Sequence, residues 1–156
     1  MNQHAKHNTQ PRPTRVHHLM WLLVALAAGC GGGTDYDWVM DDYGRARKLA
    51  RENDKHLFVY YRWWMSPECG TVERDVLENP EIKKLFRTSV NCWLHLEWQA
   101  NQAVMEDFGV HDVPAFVIVA PDGTFEQRSG ATTPEQFEPW VRQTMPPPVT
   151  TAPKKP

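Results

Sequence analysis

Apolar positions recur along the chain with different spacings, and each spacing predicts an element. Over residues 36–54, Val39, Met40, Tyr43, Ala46, Leu49 and Ala50 fall at helical intervals, and Asn53-Asp54-Lys55 ends the run. Leu57-Phe58-Val59-Tyr60-Tyr61-Arg62 is nearly continuous and rich in β-forming side chains, which predicts a buried strand with parallel pairing. From Pro67 the spacing is helical again, with Val72 and Val76 inward and Glu73, Arg74 and Glu78 outward. Asn79-Pro80 reads as an N-cap and first helical residue, opening a short helix that carries Ile82, Leu85 and Phe86. Residues 89–98 alternate, with Val90, Cys92, Leu94 and Leu96 on one face of a strand and Trp93 on the other. A short helix over 100–108 is closed by Gly109.

The last third continues in the same way. Residues 115–120 form a strand, Pro121-Asp122-Gly123-Thr124 a turn, and residues 125–129 the hairpin partner. Thr133-Pro134-Glu135-Gln136 is a capping box with proline at the first helical position. It opens a final helix with Phe137, Trp140 and Val141 on its apolar face. Helices between the first strands require parallel crossovers, whereas the final hairpin is antiparallel. The prediction is an α/β fold of three layers, a mixed central sheet with helices on both faces.

Composition changes this picture mainly at the ends. A length of 156 residues allows one domain. Of 13 prolines, seven stand at positions 11, 13, 146, 147, 148, 153 and 156, so residues 146–156 are expected to be a disordered tail beyond a domain at 36–145. The formal charge is −2, but residues 1–29 hold Lys6, Arg12 and Arg15 and no acids. Without them, 14 basic side chains face 19 acidic ones, a net charge of −5 that leaves no basic patch for nucleic acid. Arg45, Arg47, Lys48 and Arg51 share the first helical pattern with Asp41, Asp42 and Glu52, as on a solvated face.

Arg12 and Arg15 precede the apolar run at 19–28, which is too short for a permanent membrane span and reads as a secretory signal. The run ends in Leu26-Ala27-Ala28-Gly29-Cys30, which resembles a bacterial lipobox, with Ala27 where leucine is most frequent. The resemblance implies removal of residues 1–29 and lipid on Cys30. Gly31-Gly32-Gly33-Thr34 would then supply a flexible tether over 30–35. It also implies a periplasm-facing domain held at a membrane. Gly31, in place of an acidic residue, favours the outer membrane over the inner. A plain secretory signal, with Cys30 an ordinary thiol, is the alternative.

The candidate chemistry lies in Arg62-Trp63-Trp64-Met65-Ser66-Pro67-Glu68-Cys69-Gly70, where strand gives way to helix. Ser66 fits the N-cap and Pro67 the first helical position. Cys69 then falls in the first turn, where free N–H groups and the helix dipole favour a thiolate. Together with Glu78-Asn79-Pro80-Glu81 and with Gly109-Val110-His111-Asp112-Val113-Pro114-Ala115-Phe116, this stretch resembles the thioredoxin-like family. It is closest to the branch of the C-terminal domain of the bacterial thiol-disulfide interchange reductase. The resemblance covers roughly Trp38 to Val141.

That family uses a Trp-Cys-x-x-Cys motif and a cis-proline segment. On its pattern Met65 replaces the tryptophan, Ser66 the attacking cysteine, and Tyr60 the buried acid that accepts the proton, while Cys69 keeps the resolving position. Shifting the register by one restores Trp64 but puts Met65 and Glu68 at the cysteine positions, so neither register gives a dithiol. An alcohol cannot form a disulfide, and Ser66 therefore cannot replace the attacking thiol. Cys92 stands early in its strand, too far for the ~7 Å that a disulfide spans between Cα atoms, and reads as core.

Met65, Cys69 and His95 are soft or borderline ligands of a kind copper accepts. Met65 and Cys69 span the helix start, however, and nothing in the pattern turns His95 toward them, so neither a metal nor another cofactor is expected. The resemblance assigns Val113 and Pro114 to a groove for an extended polypeptide partner, here beside Trp63, Trp64 and Met65. The expected function is a membrane-anchored binding or accessory module in envelope protein or thiol homeostasis. The alternative is a disulfide oxidoreductase or isomerase that uses Cys69 alone.

Overall fold

Strand β2 (Leu57–Arg62) runs through the middle of the molecule, and its first five residues are all buried. The computed structural model describes residues 37–146. Strand β1 (Trp38–Met40), strand β3 (Val90–His95), strand β4 (Ala115–Val119) and strand β5 (Phe125–Ser129) complete a five-stranded sheet in the order β1-β3-β2-β4-β5. β3 is parallel to both β1 and β2, whereas β4 is antiparallel to β2 and β5. The parallel pairing expected of β2 thus holds on one side only. The hairpin β4–β5 follows the turn chemistry of 121–124, with Gly123 at a φ of 92° that favours glycine.

Alternation along β2 sorts its side chains to two faces. Phe58 and Tyr60 join Phe116 and Ile118 of β4 on one. That face is covered by helix α2 (Pro67–Val72) and its π-helical continuation Glu73–Leu77, by helix α3 (Pro80–Leu85), and by helix α5 (Pro134–Thr144). Leu57, Val59 and Tyr61 join Cys92, Leu94, Val117 and Val119 on the other face, beneath helix α1 (Tyr43–Glu52) and helix α4 (Gln99–Asp107). The result is the three-layer mixed α/β architecture that the pattern predicts.

The caps follow their predicted residues. Asn79 accepts the N–H of Glu81 ahead of Pro80, Thr133 and Gln136 make the reciprocal capping box, and Gly109 takes a φ of 65° after α4. The principal correction is at the start. Residues 36–54 are not one helix: Trp38–Met40 is a strand, and α1 begins only at Tyr43. β1 draws its order from a partner far along the chain, with Trp38 opposite Asn91, Val39 opposite Cys92 and Met40 opposite Trp93. Three residues are too few to show alternation, so local spacing could not reveal the strand. Asp41, at a φ of 51°, turns the chain, and Asp42 caps α1 by accepting the N–H of Arg45 at 2.9 Å. Asp41 and Asp42 therefore precede the helix and do not belong to its solvated face.

One aromatic cluster closes the α2–α3–α5 side. Phe86 lies 4.5 Å from Phe58 between ring centroids, at 5.8 Å from Trp38 and at 6.4 Å from Phe137. It is fully buried. Phe86→Ala removes those contacts and leaves a cavity, which lowers stability by about 3–5 kcal/mol. Urea unfolding followed by far-UV circular dichroism measures the loss, and a change below about 1 kcal/mol would contradict this packing.

Candidate functional site

β2 ends at Arg62, and the chain turns through Trp63, Trp64 and Met65 into α2. The Ser66 N–H closes this turn on the Trp63 carbonyl at 3.0 Å. Ser66 is the N-cap and Pro67 the first helical residue, as expected. The Ser66 hydroxyl accepts the Cys69 N–H at 3.2 Å and donates to the Glu68 carboxylate at 2.9 Å. Its proton is thus committed to the local cap. The Glu68 carboxyl is held below the usual range by a bond from its own backbone N–H and by this hydroxyl.

Cys69 is 0% exposed. Its Sγ accepts the backbone N–H of Trp63 at 3.5 Å, which ties the sulfur to the end of β2. Beneath it lies a network that sequence reading missed. Tyr60 Oη sits 3.1 Å from the Glu73 carboxylate and 3.4 Å from the Cys69 carbonyl, so one phenolic proton serves both acceptors. Arg62 Nε lies 3.1 Å from the same Glu73 oxygen without the alignment of a hydrogen bond, and the pair is chiefly Coulombic. Its guanidinium also stands 5.7 Å from the Trp93 ring centroid.

Glu73 is therefore not an outward residue. It opens the π-helical turn Glu73–Leu77, and Tyr60 and Arg62 reach it because alternate residues of β2 share a face. Burial, then the neighbouring Cys69 and Glu73, push the Tyr60 phenol well above its ordinary value, so it stays protonated and acts as a donor.

The other cysteine among the described residues is elsewhere. Cys92 is fully buried in the cluster beneath α1 and α4, opposite Val59, whereas the site adjoins the Arg62–His95 pair at the far end of the same ladder. Burial, then Asp41 and Asp42, push its thiol up to about 12. Cys69 and Cys92 are both free.

His95 is turned to Asp41. Its Nδ1 lies 2.8 Å from one Asp41 oxygen, and its backbone N–H donates to the other at 2.8 Å. The Asn101 amide joins Asp41 at 2.8 Å and the His95 carbonyl at 2.9 Å. Asp41 on its tight turn is the functional-looking acid that the helical reading of 36–54 concealed. The Asp-Asp pair ahead of α1 was its only local signal.

Trp63, Trp64 and Met65 are exposed, and Val113 is partly buried ahead of a buried Pro114. The Val113–Pro114 bond is cis. The Pro114 carbonyl accepts the Gly130 N–H at 2.8 Å, whereas the Val113 backbone has no hydrogen-bond partner among the described residues. Trp64 is held by its N–H, which donates to Glu97 at 3.1 Å. Cys30 lies outside the described residues.

A family model described as thioredoxin-like matches residues 37–121, more than half of the chain. The chain belongs to the thioredoxin-like family. The fold is also that of solved thioredoxin-like structures. A thioredoxin from Thermus thermophilus is 23% identical, with a TM-score of 0.62 over 70% of this chain and 87% of that one. The reduced C-terminal domain of DsbD from Neisseria meningitidis is 18% identical, with a TM-score of 0.59 over 68% of this chain and 99% of that domain. A structure described as DsbH oxidoreductase is 13% identical, with a TM-score of 0.57 over 71% of this chain and 85% of that one. No curated protein matches the sequence. At these identities the structural likeness establishes the fold alone.

The helix start offers a direct test of its geometry. In Ser66→Cys the new thiol occupies the N-cap three residues before Cys69, and mild oxidation should join the two. Thiol titration of the unfolded protein with and without reductant checks this. Failure to oxidise would show that the two side chains do not converge at the start of α2.

Proposed function

We propose that this member of the thioredoxin-like family is a binding module without dithiol chemistry that holds an extended polypeptide partner at the cell envelope. The observation that carries this reading is the division of labour at the start of α2. The polar side chain at the N-cap is a serine committed to capping, and the nearby sulfur of Cys69 is fully buried. On the family pattern Ser66 takes the place of the attacking thiol and Cys69 that of the resolving one. A dithiol cycle needs an exposed attacking sulfur, and none is offered here.

Several features support holding. The Val113 peptide group is free to pair with an added strand, and Trp63, Trp64 and Met65 supply exposed aromatic and thioether surface. The reading includes a lipid anchor on Cys30 after removal of residues 1–29, with the domain facing the periplasm. Its support is the basic segment, the short apolar run and the small residues before Cys30. Among the described residues no helix is long and apolar enough to cross a membrane.

Insulin reduction in the presence of dithiothreitol tests the loss of dithiol chemistry. The expected rate is that of dithiothreitol alone, unchanged in Cys69→Ala. Turnover like that of a true thioredoxin, lost in Cys69→Ala, would overturn the reading in favour of a single-cysteine oxidoreductase or isomerase. For the anchor, mass spectrometry of the mature N-terminal peptide from a bacterial host should find diacylglycerol on Cys30, and Cys30→Ser should release the protein from membranes. A mature chain that starts elsewhere and is recovered soluble would remove the anchor from the proposal.

A further inference from the structure

Beyond the end of β3 lies a shallow depression of ≈370 Å³ lined by Asp41, Trp64, His95, Glu97 and Trp98. The two tryptophans are 66% and 61% exposed, the highest values among the exposed large apolar side chains of the described residues. Single exposed apolar residues are ordinary, but two indoles at one depression that also holds carboxylates define a specific chemistry.

We infer that Trp64, Trp98 and Glu97 form a receptor for one cationic side chain, a guanidinium group, presented by the polypeptide partner. This rests on the reading of the protein as a polypeptide-holding module, and it adds the chemical class of the residue held.

The two carboxylates have different tasks. Asp41 already accepts from three donors, the His95 N–H, the His95 ring and the Asn101 amide, and Asn101 is only 3% exposed. That partly buried arrangement, anchored on the buried Asn101, fixes one side of the depression. Glu97 is different: the Trp64 N–H is its single hydrogen-bond donor among the described residues, and no lysine or arginine pairs with it. An ionised carboxylate has about four acceptor sites, so Glu97 keeps most of its capacity for an incoming donor. The bond from Trp64 also orients Glu97 before any ligand arrives, which reduces the ordering cost of binding.

The lining discriminates among ligand classes. An anion meets the carboxylate of Glu97, which no cationic side chain among the described residues offsets, and finds the donors around Asp41 already engaged. A purely apolar group would strip water from Glu97 and offer it nothing in return. A planar cation satisfies both components at once, with its charge on Glu97 and its face or edge against indole, the best of the aromatic rings for this contact. Among the described residues no arginine or lysine lines the depression.

The test titrates the full chain with Nα-acetyl-arginine methylamide and with its uncharged isostere Nα-acetyl-citrulline methylamide. The indole N–H cross-peaks of Trp64 and Trp98, assigned through Trp64→Phe and Trp98→Phe, are followed by NMR. The arginine compound is expected to shift both peaks, and the citrulline compound to bind at least about fivefold more weakly, the size of one exposed cation–π and ion-pair contribution. Glu97→Gln, which keeps the shape of the side chain, should abolish the preference, and raised salt should weaken it. Equal binding of the two compounds, a preference that survives Glu97→Gln, or shifts confined to other tryptophans would overturn the inference. An uncharged extended peptide, read at the Val113 N–H, separates the two ideas. If it shifts Val113 without any preference for arginine at Trp64 and Trp98, only the cation receptor fails. If the arginine preference persists while no peptide perturbs Val113, strand addition at the proline segment fails instead.

Discussion

Burial of β2 on both faces is the constraint from which the remaining structure follows. A strand with no solvent side must satisfy two cores at once, and alternation decides which side chain serves each. Phe58 and Tyr60 point to the layer of α2, α3 and α5, and Leu57, Val59 and Tyr61 to that of α1 and α4. The same alternation carries past the apolar run to Arg62, which emerges on the Tyr60 side and meets Glu73. A slip of one residue would move Tyr60 and Arg62 to the wrong layer and would also release the turn that presents Trp63 and Trp64. Fold and site are therefore set by one register.

The chemistry at the end of that strand is a set of substitutions that agree with one another. Where a proton-accepting acid would suit a reactive thiol, Tyr60 holds its proton and donates it to Glu73 and to the Cys69 carbonyl. At the helix start a hydroxyl does what a hydroxyl does well, capping an N–H group. The buried sulfur has the Trp63 N–H as its neighbour. On the proposed reading, each of these features removes a requirement of dithiol exchange and leaves the surface beside it in place.

How much of this could be read from the chain depends on the range of the interactions. Strands β2 to β5 and the helix starts at Pro67, Pro80 and Pro134 carry local signals in apolar runs, caps and turn residues, and they appear where the sequence places them, whereas the cis Val113–Pro114 bond is implied only by the family resemblance. β1 does not, because its order comes from pairing with residues more than fifty positions away. The same holds for the site. Ser66 as cap follows from its neighbours in sequence, but the contact of Glu73 with Tyr60 and Arg62 depends on a π-helical turn that no spacing rule foresees. Likewise, Asp41 reaches His95 and Asn101 only after the sheet has assembled. Trp64 is expected to line a groove beside the proline segment, but its tether to Glu97 has no signal in the sequence.

The serine cap has one further consequence. A cysteine pair at a helix start exists in two oxidation states, and each changes the shape and polarity presented to a partner. Ser66 has a single state, and Cys69 and Cys92 are separated by the sheet, so they cannot cross-link within the chain. No disulfide between Cys69 and Cys92 can therefore reshape the surface formed by Trp63, Trp64 and Met65. In the proposed polypeptide-holding role, occupancy there follows the concentration of the partner and not the supply of electrons.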